Sequence, residues 1–182
     1  MLKQSIGREI NVVDNLSGLT LNVPYIKQEQ SQWCWAACMQ MGLRFFDPTD
    51  PTTQCKLAND AFELTGCCDS PSSSLCNNPL PIFRVASEWL KRKAQALFKN
   101  SSVESAGLRF EIDNQRPVEA GLKWNNGGGH AILIVGYGNI GLDDEVIVHD
   151  PWRGILSIVF SELKKAYGLG QWTWTWTGIE RS

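Results

Sequence analysis

The period at which apolar residues recur changes once along this 182-residue chain, and that change restricts what it can fold into. Up to about residue 108 the spacing is helical, and beyond it the spacing is that of strands. Cys34 to Phe46 is apolar almost all round, which predicts a buried helix that Asp47-Pro48 terminates. A short helix is expected around Leu57–Leu64. Pro81 opens a second substantial helix, in which Phe83, Ala86, Leu90, Ala94 and Leu97 share one face while Arg84, Glu88, Lys91 and Arg92 fall largely on the other. The later part supplies strands at Val118–Trp124, Ala131–Tyr137 and Glu145–His149, with Gly136, Gly138, Asn139 and Gly141 turning between the last two. A short helix at Ser161–Tyr167, capped by Ser161 and stopped by Gly168, precedes a tail in which Trp172, Trp174 and Trp176 alternate with threonine. Strict alternation puts the three indoles on one face of a strand, as a core cover rather than a ligand platform. Weaker strand character marks Ile10–Val13 and Leu19–Val23, before Pro24 extends the approach to Cys34. Helices first and antiparallel strands second is the α+β pattern, with a cleft between the two parts.

At 43% apolar and 20% charged residues, the expectation is one domain over 1–182. It divides into a helical lobe at about 23–107 and a β lobe at about 108–182. Seventeen basic against nineteen acidic side chains give a net charge of −2, and the longest basic cluster is Lys91-Arg92-Lys93. Nucleic-acid binding is therefore not expected. No apolar run reaches a membrane-spanning length, and the first residues lack the apolar segment of a signal peptide. The chain is read as soluble, and as either not exported by the general route or already trimmed of its leader.

Cysteine usage is high, at six. Cys38 lies one helical turn beyond Cys34, where a small buried thiol packs well. Cys55, Cys67, Cys68 and Cys76 crowd into a loop-rich insert at 55–76, and two disulfides stapling it is the preferred reading, which implies an oxidising destination. Adjacent Cys67 and Cys68 are expected to take separate partners, but the connectivity stays open. A zinc site lacks its usual C-x2-C spacing, and reduced thiols are the remaining alternative.

The chemistry centres on Cys34, where loop-like polarity gives way to the buried helix. A helix N-terminus leaves N–H groups unpaired and favours a thiolate there. Gln28, six residues earlier, can reach back to donate to an oxyanion, with Gln30 and Gln32 as competitors that would need tighter reversals. A base is needed, and the chain has two histidines. His130 follows three glycines and opens a strand; His149 ends the next strand and immediately precedes Asp150. A hairpin centred near residues 140 and 141 would put residue 130 opposite residue 150 on a shared face. Asp150 would then orient the His130 ring, with His149 pointing away, unless a one-residue slip or a bulge turned the set over.

Val23-Pro24-Tyr25-Ile26-Lys27-Gln28 followed by Trp33-Cys34-Trp35-Ala36-Ala37 resembles the active-site segment of papain-like cysteine peptidases. The similarity is closer to the bacterial branch that includes double-glycine leader peptidases and several secreted effector proteases. Arg116-Pro117-Val118, Gly128-Gly129-His130-Ala131 with Val135-Gly136-Tyr137, Val148-His149-Asp150-Pro151-Trp152 and Gly170-Gln171-Trp172-Thr173 extend it from Val23 nearly to the C-terminus. The resemblance implies Cys34 as nucleophile, His130 as base, Asp150 as orienter and Gln28 as oxyanion donor, without a cofactor or metal. Asp150 departs from papain-like enzymes that use asparagine at this place. The Cys55–Cys76 insert resembles inserts of secreted bacterial members. The expected protein is thus a monomeric cysteine peptidase acting on a protein or peptide, without membrane insertion, as a secreted or translocated effector or toxin with an immunity or inhibitor protein as partner. Glutamine deamidation or acyl transfer by the same thiol, and a non-catalytic disulfide-stabilised binding module, are the alternatives.

Overall fold

The computed structural model describes residues 18–140 and 143–181; the strand expected at Ile10–Val13 lies outside them. The elements run β1 (Leu19–Thr20), α1 (Cys34–Phe46), α2 (Gln54–Phe62), α3 (Ile82–Lys91), β2 (Ala94–Lys99), α4 (Ser105–Asp113), β3 (Val118–Trp124), β4 (Gly129–Ile140), β5 (Asp143–Asp150), β6 (Gly154–Val159), α5 (Phe160–Lys164) and β7 (Gly170–Arg181). One antiparallel sheet is ordered β2-β7-β3-β4-β5-β6, with β1 added along β4. The α+β expectation holds.

Helix α1 is buried from Trp35 to Leu43, as an all-round apolar helix must be. Its Trp35, Met39 and Leu43 pack with α2, with Val85 and Trp89 of α3 and with Trp176 and Ile179 of β7. Cys38 and Met41 pack instead with Leu133 and Val135 of β4 and with Leu21 and Val23 of the N-terminal arm. A further core, built on Val118, Leu122, Ile132, Val148, Phe160 and Leu163, joins the sheet to α5. Each fully buried large side chain contributes about 1.5–3 kcal/mol, so α1, which feeds two cores, fixes its own N-terminus firmly against the sheet.

The helix expected from Pro81 to Leu97 is corrected in both length and facing. Lys93 adopts φ 57°, which stops α3, and the following residues pair with the tail strand as β2. Local spacing cannot register that pairing, because its partner lies about eighty residues on. Phe83 and Leu90 are 83% and 69% exposed, whereas Glu88, expected on the solvated face, is buried with Lys91 and Arg92 paired to its carboxylate. Residues 105–113 are helical rather than strand-like, because Leu108 and Ile112 bury one stripe. Ser161 is not a cap: α5 begins at Phe160 after Val159.

The tail is a strand, but its three indoles are not on one face. Opposite β3, Gly121 pairs with Trp174 while adjacent Leu122 pairs with Trp172, so the ladder skips Thr173. That bulge turns Trp172 into the core shared with α5 and leaves Trp174 and Trp176 on the α1 side.

Candidate active site

Cys34 is the first residue of α1. No side chain caps this terminus and the first turn holds no acidic residue, so its N–H groups stay available beside the thiol. The flanking tryptophans are anchors. The Trp33 indole N–H donates to the Cys76 carbonyl at 2.8 Å, and that of Trp35 to the Asn78 carbonyl at 3.2 Å. Between them, Asn77 Oδ1 accepts from the Gln32 N–H at 2.9 Å and its Nδ2 donates to Ser31 Oγ at 2.9 Å. Residues 76–78 therefore clamp the segment that presents the thiol. The clamp is itself stapled, by disulfides Cys55–Cys68 and Cys67–Cys76. Cys67 and Cys68 do take separate partners, and all four sulfurs are withdrawn from any zinc site. Cys38 is the buried core thiol expected, with burial, then Glu119, pushing its pKa well up.

On the other wall, His130 Nε2 and Asp150 Oδ1 lie 2.7 Å apart. The hairpin reaches this result by a different register from the one expected. At the turn Ile140 pairs with Asp143, a ladder that, carried on unbroken, would set Asp150 opposite Leu133 and on the face away from His130. A shift between Ile134 and Gly136 instead pairs Leu133 with His149, which returns Asp150 to the side of His130. The bulge that threatened the arrangement creates it.

Asp150 is buried and multiply held. Its Oδ1 also accepts the N–H groups of Trp152 (2.8 Å) and Arg153 (3.0 Å), and Oδ2 accepts the Tyr167 hydroxyl at 3.0 Å. Burial opposes its charge, but the hydrogen bond and charge of His130 and the Trp152 and Arg153 N–H groups hold its pKa below the usual carboxylate value. Burial likewise opposes charge on His130, yet hydrogen bonds to Asp150 and Cys34, and their charges, raise its pKa to about 9. With Nε2 on Asp150, the other ring nitrogen is left for the thiol. Trp124 stacks on the ring with centroids 6.0 Å apart. His149 points elsewhere, as expected, edge-on to Tyr25.

Gln28 sits between these walls. Its backbone N–H donates to the Pro151 carbonyl at 3.1 Å, which ties its loop to the Asp150 turn. Its Nε2 donates to the carbonyls of Gln30 (2.8 Å) and Ser31 (3.1 Å), and its Oε1 is buried without a partner among the described residues. The side-chain amide is thus turned into its own loop. Gln54, fully buried on α2, holds both flanks, donating to the Lys27 carbonyl and accepting the Glu29 N–H, each at 2.9 Å.

Sequence reasoning missed Tyr167, Trp124, Asn77 and Gln54. Tyr167, Asn77 and Gln54 act across long chain separations, whereas Trp124 meets His130 across the short β3–β4 turn. The stapled loop offered the one signal that could have been followed, since adjacent polar residues after Cys76 must go somewhere. Among the described residues, no cluster of His, Cys, Asp or Glu could hold a metal ion, and no helix is long and apolar enough to cross a membrane.

A thiol at a helix mouth facing a carboxylate-held imidazole, across a cleft between helices and antiparallel sheet, defines a papain-like arrangement. The chain belongs to the Peptidase_C39-like family, whose profile matches residues 20–175, and it is a cysteine peptidase. No curated protein sequence matches it significantly. Solved structures share the fold at low identity. A double-glycine-motif protease from an AMS/PCAT transporter, in complex with the leader peptide, is 15% identical with a TM-score of 0.57, covering 90% of this chain and 94% of that one. The peptidase domain of Streptococcus ComA, a bifunctional ABC transporter, is 10% identical with a TM-score of 0.58 over 87% and 98%. A mite allergen structure is 14% identical with a TM-score of 0.56 over 93% and 73%.

Proposed function

We propose that the chain hydrolyses peptide bonds through an acyl-enzyme on Cys34. The observation that carries this reading is the 2.7 Å contact of His130 Nε2 with Asp150, which leaves the opposite ring nitrogen toward Cys34. His130 takes the thiol proton as sulfur attacks the carbonyl carbon, then delivers it to the leaving amine; water resolves the thioester by the reverse proton transfers. Asp150 fixes the tautomer and stabilises the imidazolium. The Cys34 N–H and the Gln28 amide stabilise the tetrahedral oxyanion. Both Gln28 N–H groups are engaged by loop carbonyls, so oxyanion formation draws one of them away from Gln30 or Ser31.

The substrate is a protein or peptide segment, in keeping with the leader peptide bound by the transporter protease. The paired disulfides support action in an oxidising setting, as a secreted effector or toxin held in check by an immunity or inhibitor protein.

Iodoacetamide at stoichiometric dose should label the wild type at Cys34 and leave Cys34→Ala unlabelled; equal labelling of both overturns the nucleophile assignment. Gln28→Ala should lower turnover by about 10²-fold while sparing alkylation, which forms no oxyanion. Mass spectrometry of the substrate separates a cut chain from a deamidated one, which gains about one mass unit.

A further inference from the structure

Beside Cys34 and His130 opens a cavity of about 300 Å³, walled by the start of α3 and by β3 and β7. Its lining is largely apolar, including Leu80, Ile82, Val85 and Trp174, with one carboxylate among them, that of Glu119. Glu119 is 1% exposed. Its Oε2 accepts the Trp89 indole N–H at 3.1 Å, and among the described residues no ion pair and no second hydrogen bond engages the carboxylate. An indole N–H needs only a neutral acceptor, so a carboxylate here is an expensive choice for that bond alone. Burial raises its pKa to about 7, against the Trp89 hydrogen bond, which marks a charge lacking its counterion.

The strand geometry connects this carboxylate to the site. Leu122 of β3 is opposite His130, and Glu119 lies three residues back, roughly 10 Å along the strand. Gly121 shares the Glu119 face between them. A Cβ there would come within 3.0 Å of the Trp174 ring, so glycine lets that indole lie close against β3 as a wall of the cavity between the mouth and the carboxylate. The other flank of the cleft is different in character, being lined by Gln28, Ser31, Gln32 and Arg153. A positive side chain is disfavoured there by Arg153.

We propose that Glu119 is a specificity-determining residue, and that the cavity takes a lysine or arginine side chain of the peptide substrate. The aliphatic stem lies against the apolar walls and the cationic tip donates to the free oxygen of Glu119. This assignment rests on the peptidase reading for its consequence, cleavage beside a basic residue, but the binding preference can be measured separately.

In a Cys34→Ala background, a peptide set carrying either lysine or norleucine at each position in turn should show, at one position, about 10-fold tighter binding of lysine. Glu119→Gln, which preserves an acceptor for Trp89, should abolish that preference. Ile82→Lys, which supplies a cation from the cavity wall, should abolish it as well and provides a second arm if Glu119→Gln fails to fold. Absence of a lysine preference at every position, or its persistence in a folded Glu119→Gln protein, overturns the proposal. A lysine preference in binding without hydrolysis by the wild type would instead overturn the peptidase reading and leave the pocket assignment standing.

Discussion

The two walls of the cleft hold their reactive groups by opposite means. The wall bearing Cys34 is a helix N-terminus, fixed by indole and asparagine hydrogen bonds to a loop that disulfides have stapled. The wall bearing His130 is regular sheet, and one buried carboxylate joins ring, turn and Tyr167. Covalent staples replace core size on the first side, where the loop from the end of α2 to Cys76 buries only Cys67 and Cys76. Strand register does the same work on the second, at the risk that a single slip would dismantle it. The first wall should therefore respond to redox chemistry and the second to protons.

Asp150→Ala tests the second wall hardest. It removes the partner of His130 and the acceptor of two turn N–H groups, so kcat/KM should fall by about 10³–10⁴-fold and urea denaturation should report a loss of about 3 kcal/mol. Asp150→Asn retaining full rate would show that charge is dispensable on this wall.

For the first wall, the paired change Cys67→Ser with Cys76→Ser should cost about 2–3 kcal/mol of stability for a loop of this length. It should also slow Cys34 alkylation and turnover, while leaving the pH response of His130 in place. A variant that loses stability but reacts at the wild-type rate would reduce the clamp to a staple with no bearing on the thiol.

The smallest effect is the proton dependence itself. His130 has a folded pKa raised to about 9 from 6.5, so its contribution to stability is complete below about pH 6.5 and is lost as pH rises through about 9. Asp150, with its pKa lowered, contributes above its unfolded value and loses that as pH falls through the folded one. The two are one coupled pair, so their windows describe a shared plateau between mildly acidic and alkaline pH. Denaturation at pH 6, 8 and 10 should show a steeper alkaline decline for the wild type than for His130→Gln. Parallel curves would sever the link between sheet register and ionisation.

How much of this was legible in the chain follows the same division. Helix α1, strands β3 to β5 and the placing of the cysteines in two disulfides were readable, because each rests on spacing within a short window. So was the grouping of Cys34, His130 and Asp150, although spacing alone implies an unbroken ladder and the protein uses a broken one. Phe83, Leu90 and Glu88 were assigned to the wrong faces, since α3 packs against residues far along the chain and a stripe of helical spacing does not say which stripe is inward. Strand β2 was hidden by the same long-range pairing. Tyr167 and Glu119 gave no signal at all: a hydroxyl and a carboxylate acquire meaning from what the fold sets beside them.

The bulge at Thr173 separates two duties within five residues of one strand. Trp172 on one side and Trp174 with Trp176 on the other are chemically identical units told apart only by phase. Were Thr173 drawn into a regular ladder, all three indoles would share one face, and Trp172 would leave the core it shares with α5. The division of the indoles is thus set by one unpaired residue, with no change in the composition of the strand.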